Sequence, residues 1–173
     1  MLRLAESGAR VGEVCWPARF DTFADGQKRL MAYEAARSLA SEYQYHGAQL
    51  SEPLKQLLEY GQEVEFEEYC ELRGAAEQGM HESTHLFEQW DVLLAPSAAD
   101  TAPEGIAATG DPMFSRPWMF LGVPTLSLPA LTGANGLPIG VQLIGARFAD
   151  DRLLQAAAWI EQTLQGSPAL LVT

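Results

Sequence analysis

Two short apolar runs near the carboxyl end constrain the fold of this chain more than any other feature. Residues 123–128 and 139–144 are each bounded by Gly and Pro and are joined by the turn-rich residues 131–136, a pattern typical of two neighbouring strands. In the second run the apolar side chains alternate, which places Gly140 on the opposite face, where another backbone could approach closely. The sequence therefore predicts two adjacent strands, packed most tightly on the Gly140 side.

Helical periodicity and further strand-like runs fill the rest of the chain. The sequence predicts strands at 9–15, 91–95 and 168–172, and helices at 1–8, 25–47, 51–61, 65–90 and from Asp150 onward. Neither an internal repeat nor a low-complexity tract divides it, so we expect one domain over residues 1–173. Helical crossovers combined with a short hairpin loop predict an α/β fold, a three-layer α/β/α sandwich fragment with a mixed sheet.

Charge and hydropathy exclude two classes of partner. The formal net charge is −12, and only 11 of the 173 residues are Lys or Arg. Nucleic-acid binding needs clustered cations, so we expect no nucleic-acid partner. No apolar run approaches the length of a membrane span, and no basic residues followed by an apolar stretch mark a leader. We therefore expect no membrane partner and a cytoplasmic location.

Nucleophilic chemistry finds little support in the residues themselves. Cys15 and Cys70 lack a recognisable motif, and Cys70 falls on the predicted inner face of its helix, so both are expected to be reduced and buried. None of the nine serines lies in a Gly-x-Ser-x-Gly elbow. Lys28 and Lys55 fall on helix positions expected to face solvent. No catalytic residue is assigned.

A zinc-binding string occurs at His81-Glu82-x-x-His85. Two imidazoles at i and i+4 on a helix can bind zinc while the Glu acts as a base. A catalytic zinc needs a third protein ligand, and the downstream carboxylates fall on a predicted strand or loop rather than on a second helix. The alternative is an exposed helix flank with two solvated histidines. We favour that alternative and expect no metal and no cofactor.

A cluster of aromatic, sulfur and charged side chains precedes the first of the two central strands. It comprises Asp111, Phe114, Arg116, Trp118 and Met119. Such a mixture suits the wall of a small-molecule pocket, because apolar surface supplies affinity and a few polar groups fix orientation. The alternative is a loop whose Phe114 and Trp118 fill the core, with Arg116 on the surface. The sequence leaves both interpretations open.

Four stretches of the chain, residues 91–96, 107–115, 118–124 and 136–145, share one further pattern. Together they resemble the C-terminal part of the amidase signature family. Its most specific element reads Gly-Leu-Pro, an apolar residue, Gly, an apolar residue, Gln, two apolar residues and Gly. Ser115 stands where members of the family often carry Asn. The upstream helices are similar to those of the same family, so the resemblance covers nearly the whole chain.

The resemblance implies hydrolysis of a carboxamide to a carboxylate and ammonia by a Ser, cis-Ser and Lys constellation. In the family these residues lie in the N-terminal half, and this sequence contains neither a Gly-Gly-Ser-Ser-Gly string nor two adjacent serines. The chain thus resembles the C-terminal portion of an amidase, which supplies scaffold and substrate-pocket wall, and is predicted to be inactive alone. The wall residues implied are Asp111, Phe114, Arg116, Trp118 and Met119.

Partners follow from this interpretation. We expect a small-molecule amide substrate in the full-length parent and association with the missing N-terminal half. A homodimer is a further expectation, because a truncated sheet exposes apolar surface. The alternative function is a non-catalytic binding or assembly module derived from an amidase. A zinc peptidase using His81 and His85 is a third, less favoured hypothesis.

Overall fold

In the computed structural model the chain folds into a small sheet with helices on both faces. The structure describes residues 2–106 and 109–165. The strands are β1 (Leu93–Pro96), β2 (Thr125–Thr132) and β3 (Pro138–Ile144). The helices are α1 (Leu2–Glu6), α2 (Phe23–Ser38), α3 (Ala40–His46), α4 (Glu52–Gln62), α5 (Phe66–Gln89), α6 (Arg116–Leu121) and α7 (Asp150–Gln165). None of the described helices is both long enough and apolar enough to cross a membrane.

The two glycine-bounded strands are neighbours, as predicted. The sheet has the order β1-β3-β2, and β3 pairs antiparallel with both other strands. This confirms the α/β class but corrects the prediction of a mixed sheet. The crossover through α6 does make β1 and β2 run in the same direction, yet β3 returns from the hairpin between them. Within the described residues no two parallel strands are therefore adjacent.

One apolar cluster on each face of the sheet gives the three predicted layers. On one face Leu143 and Leu128 pack against Leu4 of α1 and Leu153 of α7. On the other face Ile144 packs with aromatic side chains from α2 and α6. Leu143 and Ile144 are both fully buried because successive residues of a strand point to opposite faces.

The hairpin extends further than the apolar run alone predicts. β2 continues past residue 128 to Thr132, because a bulge between Pro129 and Leu131 accommodates the proline, which has no N–H to donate. The turn closes where the N–H of Gly133 donates to the carbonyl of Leu137 at 2.8 Å. Gly136 has φ +80°, a conformation that glycine adopts without strain.

Two predicted elements differ from the structure, and a third cannot be compared with it. Residues 9–15 form no strand, because Val11 packs in the cluster beside α7 while Val14 packs in the cluster on the opposite face. The segment therefore passes from one face of the sheet to the other without pairing with any of the described strands. The predicted helix 25–47 is interrupted at Leu39, which divides it into α2 and α3. The predicted strand 168–172 lies outside the described residues.

The prediction that both cysteines are buried is wrong. Cys15 and Cys70 are free thiols and both are exposed. The face of α5 that packs on the core passes through Leu72, Ala76 and Met80, so Cys70 lies off this stripe. The prediction placed the buried face of α5 through Cys70 because the aromatic residues Phe66 and Tyr69 lie on the same side. These two residues are themselves exposed or half-buried, and they stack on one another outside the core.

Candidate functional site

The loop entering α6 is held down by a buried glutamine of the central strand. Gln142 donates from Nε2 to the carbonyl of Phe114 at 3.3 Å, and its Oε1 accepts from the hydroxyl of Ser115 at 3.1 Å. The N–H groups of Ser115 and Arg116 both donate to the carbonyl of Pro112. Gln142 is only 4% exposed, so both ends of its amide are satisfied by this loop rather than by water.

A second buried glutamine holds the next side chain. Nη1 of Arg116 donates to Oε1 of Gln27 in α2 at 3.2 Å, and Nη2 lies 3.5 Å from a carboxylate oxygen of Asp111. The Arg116 side chain is only 16% exposed, whereas Asp111 is largely exposed. Nε of Arg116 is buried without a partner among the described residues. The guanidinium is therefore a fixed cation with remaining donor capacity, in contrast to the surface position that one interpretation predicted.

The five predicted wall residues are close in sequence but differ in environment. Trp118 is buried in the aromatic core and contacts Trp16 edge-on at a centroid distance of 4.8 Å. Phe114 is half-buried, and Met119 is 61% exposed. The structure therefore supports the core interpretation for Trp118, while Phe114 and Met119 keep apolar surface accessible.

Next to Gln142, on the same face of β3, Ser97 and Ser127 form a small polar patch over Gly140. The hydroxyls of Ser97 and Ser127 lie 2.6 Å apart across Gly140. A Cβ at Gly140 would lie 2.8 Å from each hydroxyl oxygen, so only glycine lets them meet. The close approach predicted on the Gly140 side thus involves two side chains, Ser127 of β2 and Ser97, which directly follows β1. This polar patch lies beside the loop entering α6, because Gly140 and Gln142, which holds that loop, are next neighbours on one face of β3.

Sequence reasoning missed four of the residues that build this region: Gln27, Gln142, Ser97 and Ser127. The alternation of β3 places Gln142 on the Gly140 face, so that signal was available. The pairing of Ser97 with Ser127 depends on strand register across 30 residues, which the sequence pattern alone does not fix.

The histidine pair does not assemble a zinc peptidase site in the described part of the chain. His81 and His85 are exposed on α5, as the favoured alternative predicts. Glu82, the residue a peptidase would use as base, forms an ion pair with Arg19. Among residues 2–106 and 109–165 no group of three or more His, Cys, Asp or Glu side chains could hold a metal ion.

Two ionisable groups with shifted pKa values, Arg29 and Glu68, join helices α2 and α5. Arg29 of α2 binds Glu68 of α5, with one hydrogen bond of 2.6 Å, and also donates to the Tyr60 hydroxyl of α4 at 3.1 Å. The hydrogen bond from Arg29 lowers the pKa of Glu68 below its usual value, and that same bond raises the pKa of Arg29. This network ties α2, α4 and α5 together behind the loop, so its role is structural.

Comparison with known proteins decides the family. The family model described as Amidase matches residues 3–154. The chain belongs to the amidase family. This finding confirms the resemblance seen in the sequence, and the family acts on amide C–N bonds.

Relatives of known structure share the fold. A crystal structure of an amidase superposes with a TM-score of 0.83 at 27% identity, over 94% of this chain and 40% of that one. A 6-aminohexanoate cyclic dimer hydrolase complexed with substrate gives a TM-score of 0.73 at 23% identity, over 94% of this chain and 39% of that one. The second likeness concerns the fold alone.

A curated relative gives a clear sequence match. This relative, a glutamyl-tRNA(Gln) amidotransferase subunit of Novosphingobium aromaticivorans, is 37% identical over an alignment of 89 residues that covers 47% of this chain and 18% of the relative. The chain therefore spans less than half the length of the proteins that it resembles.

Proposed function

We propose that this chain is the C-terminal portion of an amidase that hydrolyses the C–N bond of a carboxamide to a carboxylate and ammonia. The observation that carries the proposal is the family match over residues 3–154, on a fold that superposes on 40% of a solved amidase. In such an enzyme this chain supplies scaffold and one wall of the substrate pocket.

The loop entering α6, which Gln142 holds in place, and the first turn of α6 provide this wall. Phe114 and Met119 offer apolar surface, Arg116 offers directed N–H donors, and Asp111 offers an acceptor beside them, while Trp118 anchors α6 in the core. Apolar surface with a few fixed polar groups is the usual composition of a small-molecule site. Gln27 and Gln142 keep this wall in place by holding Arg116 and the backbone of Phe114.

The chain is inactive alone under this proposal, because the three serines beside the proposed pocket wall form hydrogen bonds that include no base. Ser97 and Ser127 bind one another, and Ser115 binds Gln142. Lys28 forms an exposed ion pair with Asp25 at 3.0 Å. A serine hydroxyl needs an adjacent base to become nucleophilic, and these contacts do not supply one.

Ammonia release from simple carboxamides tests this proposal. With acetamide and benzamide as substrates, the purified chain is expected to release ammonia at the rate of the buffer blank. Hydrolysis by the chain alone that is abolished by a serine-directed inhibitor would contradict the proposal. A blank containing heat-denatured chain controls for spontaneous hydrolysis.

A non-catalytic assembly module is the second candidate function. The observation that favours it is the outer edge of β1, which no other described strand pairs with, next to a large groove. A chain that binds the remainder of an amidase without restoring hydrolysis would have this function.

A further inference from the structure

The turn between β2 and β3 contains the only asparagine of the chain, Asn135, and glycine follows it directly. In an Asn-Gly pair the backbone nitrogen of the glycine can attack the side-chain carbonyl carbon of the asparagine. Glycine hinders this attack least, because it has no Cβ. Asn135 and Gly136 are both exposed, so water and hydroxide reach the pair.

This reaction needs no group from outside the chain except water. A bond forms between the nitrogen of Gly136 and Cγ of Asn135, and the bond from Cγ to Nδ2 breaks. Nδ2 leaves as ammonia with the proton that the Gly136 nitrogen gives up, and a cyclic succinimide remains. Water then opens the ring at one or the other carbonyl carbon, which leaves aspartate or isoaspartate at position 135.

Hydrogen bonds of the folded turn oppose ring closure. Nδ2 of Asn135 donates to Oγ1 of Thr101 at 2.9 Å, and Oδ1 accepts from the N–H of Leu137 at 3.1 Å. Both ends of the amide are therefore fixed. The N–H of Gly136 donates to the carbonyl of Gly133 at 2.9 Å. Departure of Nδ2 breaks the bond to Thr101, and loss of the Gly136 proton breaks the bond to Gly133, so the reaction costs two hydrogen bonds that an unfolded chain does not make.

Thr101 reaches Asn135 from outside the turn, since it lies in the loop after β1, 34 residues earlier in the chain. Its side chain is half-buried. A Cβ at Gly133 would lie 2.5 Å from Cγ2 of Thr101, so glycine at this position lets the threonine pack directly on the turn. The Thr101 hydroxyl is thereby held beside the nitrogen that has to leave.

We propose that Asn135 is a self-modification site, at which Gly136 displaces ammonia from the side chain, and that Thr101 restrains this reaction in the folded chain. The isoaspartate product adds one backbone carbon to the turn and a negative charge to a chain whose net charge is already −12. The strand pairing ends at Thr132 and Pro138, so a longer turn displaces this end of the hairpin. Modification also removes the amide that ties the loop after β1 to the hairpin.

Peptide mapping by mass spectrometry tests the proposal, with the purified chain incubated in mildly alkaline buffer. Conversion of the amide to an acid raises the mass of the peptide that contains Asn135, and fragment spectra assign the gain to that position. Thr101→Val keeps the shape of the side chain and removes the acceptor, so it is expected to convert about fivefold faster than the wild type. The chain unfolded in guanidinium is expected to convert more than about tenfold faster than the folded wild type.

Matched variants control for other causes. Thr101→Ser keeps the hydroxyl and is expected to convert like the wild type. Thr125→Val makes the same replacement at an exposed position of β2, at the far end of the hairpin, and is also expected to match the wild type. Asn135→Ser removes the amide and is expected to gain no mass at position 135. Circular dichroism shows whether each variant is folded, and Thr101→Ala repeats the test should Thr101→Val not fold.

Equal conversion rates in the wild type and Thr101→Val would overturn the proposal. Slower conversion in Thr101→Val would also overturn it, since Thr101 would then assist the reaction. Wild-type conversion as fast as that of the unfolded chain would show that the folded turn gives no restraint. An unfolded chain that keeps Asn135 intact would exclude the modification site itself.

Discussion

Gly61→Ala is expected to lower the free energy of unfolding by more than about 3 kcal/mol, because the added methyl group meets backbone rather than a flexible side chain. A Cβ at Gly61 in α4 would lie 1.9 Å from the carbonyl oxygen of Ala32 in α2. Gly61 and Ala36 are both buried where these helices cross. The two helices would have to separate, and the network that joins them to α5 would loosen with them.

Thermal unfolding followed by circular dichroism measures this effect. A loss of this size corresponds to a fall in Tm of about 6–12 °C for a domain of this length. Gly74→Ala is the matched control, because Gly74 lies within α5 and a Cβ there would meet nothing within 4 Å. It is expected to raise stability by about 0.5–1 kcal/mol, since Ala favours helix. Equal melting temperatures for the two variants would contradict the packing of α2 on α4.

Gln142→Leu is expected to destabilise the chain by about 2–4 kcal/mol, because two partly buried polar groups lose their partner. The carbonyl of Phe114 and the hydroxyl of Ser115 would be left unpaired beneath the loop. The amides of Ser115 and Arg116, which bind Pro112, are expected to exchange hydrogen faster as the loop loosens. Unfolding by urea and hydrogen exchange measure the two effects.

Two variants calibrate that result. Gln162→Leu replaces an exposed glutamine of α7 and is expected to change stability by no more than about 0.5 kcal/mol. Ser115→Ala removes one of the two bonds to Gln142 and should cost about 1 kcal/mol. Equal stability of Gln142→Leu and Gln162→Leu would show that the hydrogen bonds of Gln142 do not hold the candidate pocket wall in place.

Local patterns predicted the strands and most helices because each pattern reports one physical property. The alternation at 139–144 indicated β3 and its two faces, and Asp150 marked the start of α7. The pattern failed where tertiary packing decides the outcome. Residues 9–15 have strand-like composition, but they cross between the two apolar clusters and pair with none of the described strands. Cys70 shares a helical period with aromatic residues that stack outside the core.

The candidate site was predictable only in part for the same reason. The wall residues form a short run, so their composition was visible in the sequence. Their supports, Gln27 and Gln142, lie 89 and 27 residues from the groups that they hold. Contacts of that range depend on how layers are stacked and strands aligned. Whether Arg116 is buried or exposed therefore depends on the packing of α6 against α2, which the local sequence pattern does not fix.

The proposed function requires that this chain can replace the corresponding part of a carboxamide hydrolase. The most direct test is a chimera in which this chain replaces the corresponding 40% of the solved amidase. Covalent linkage removes association from the experiment, so ammonia release from a carboxamide accepted by that amidase reports function alone. The chimera is expected to hydrolyse the carboxamide above the blank, and the Gln142→Leu chimera is expected to release less ammonia. A soluble chimera that unfolds cooperatively but releases no ammonia would contradict the proposed function.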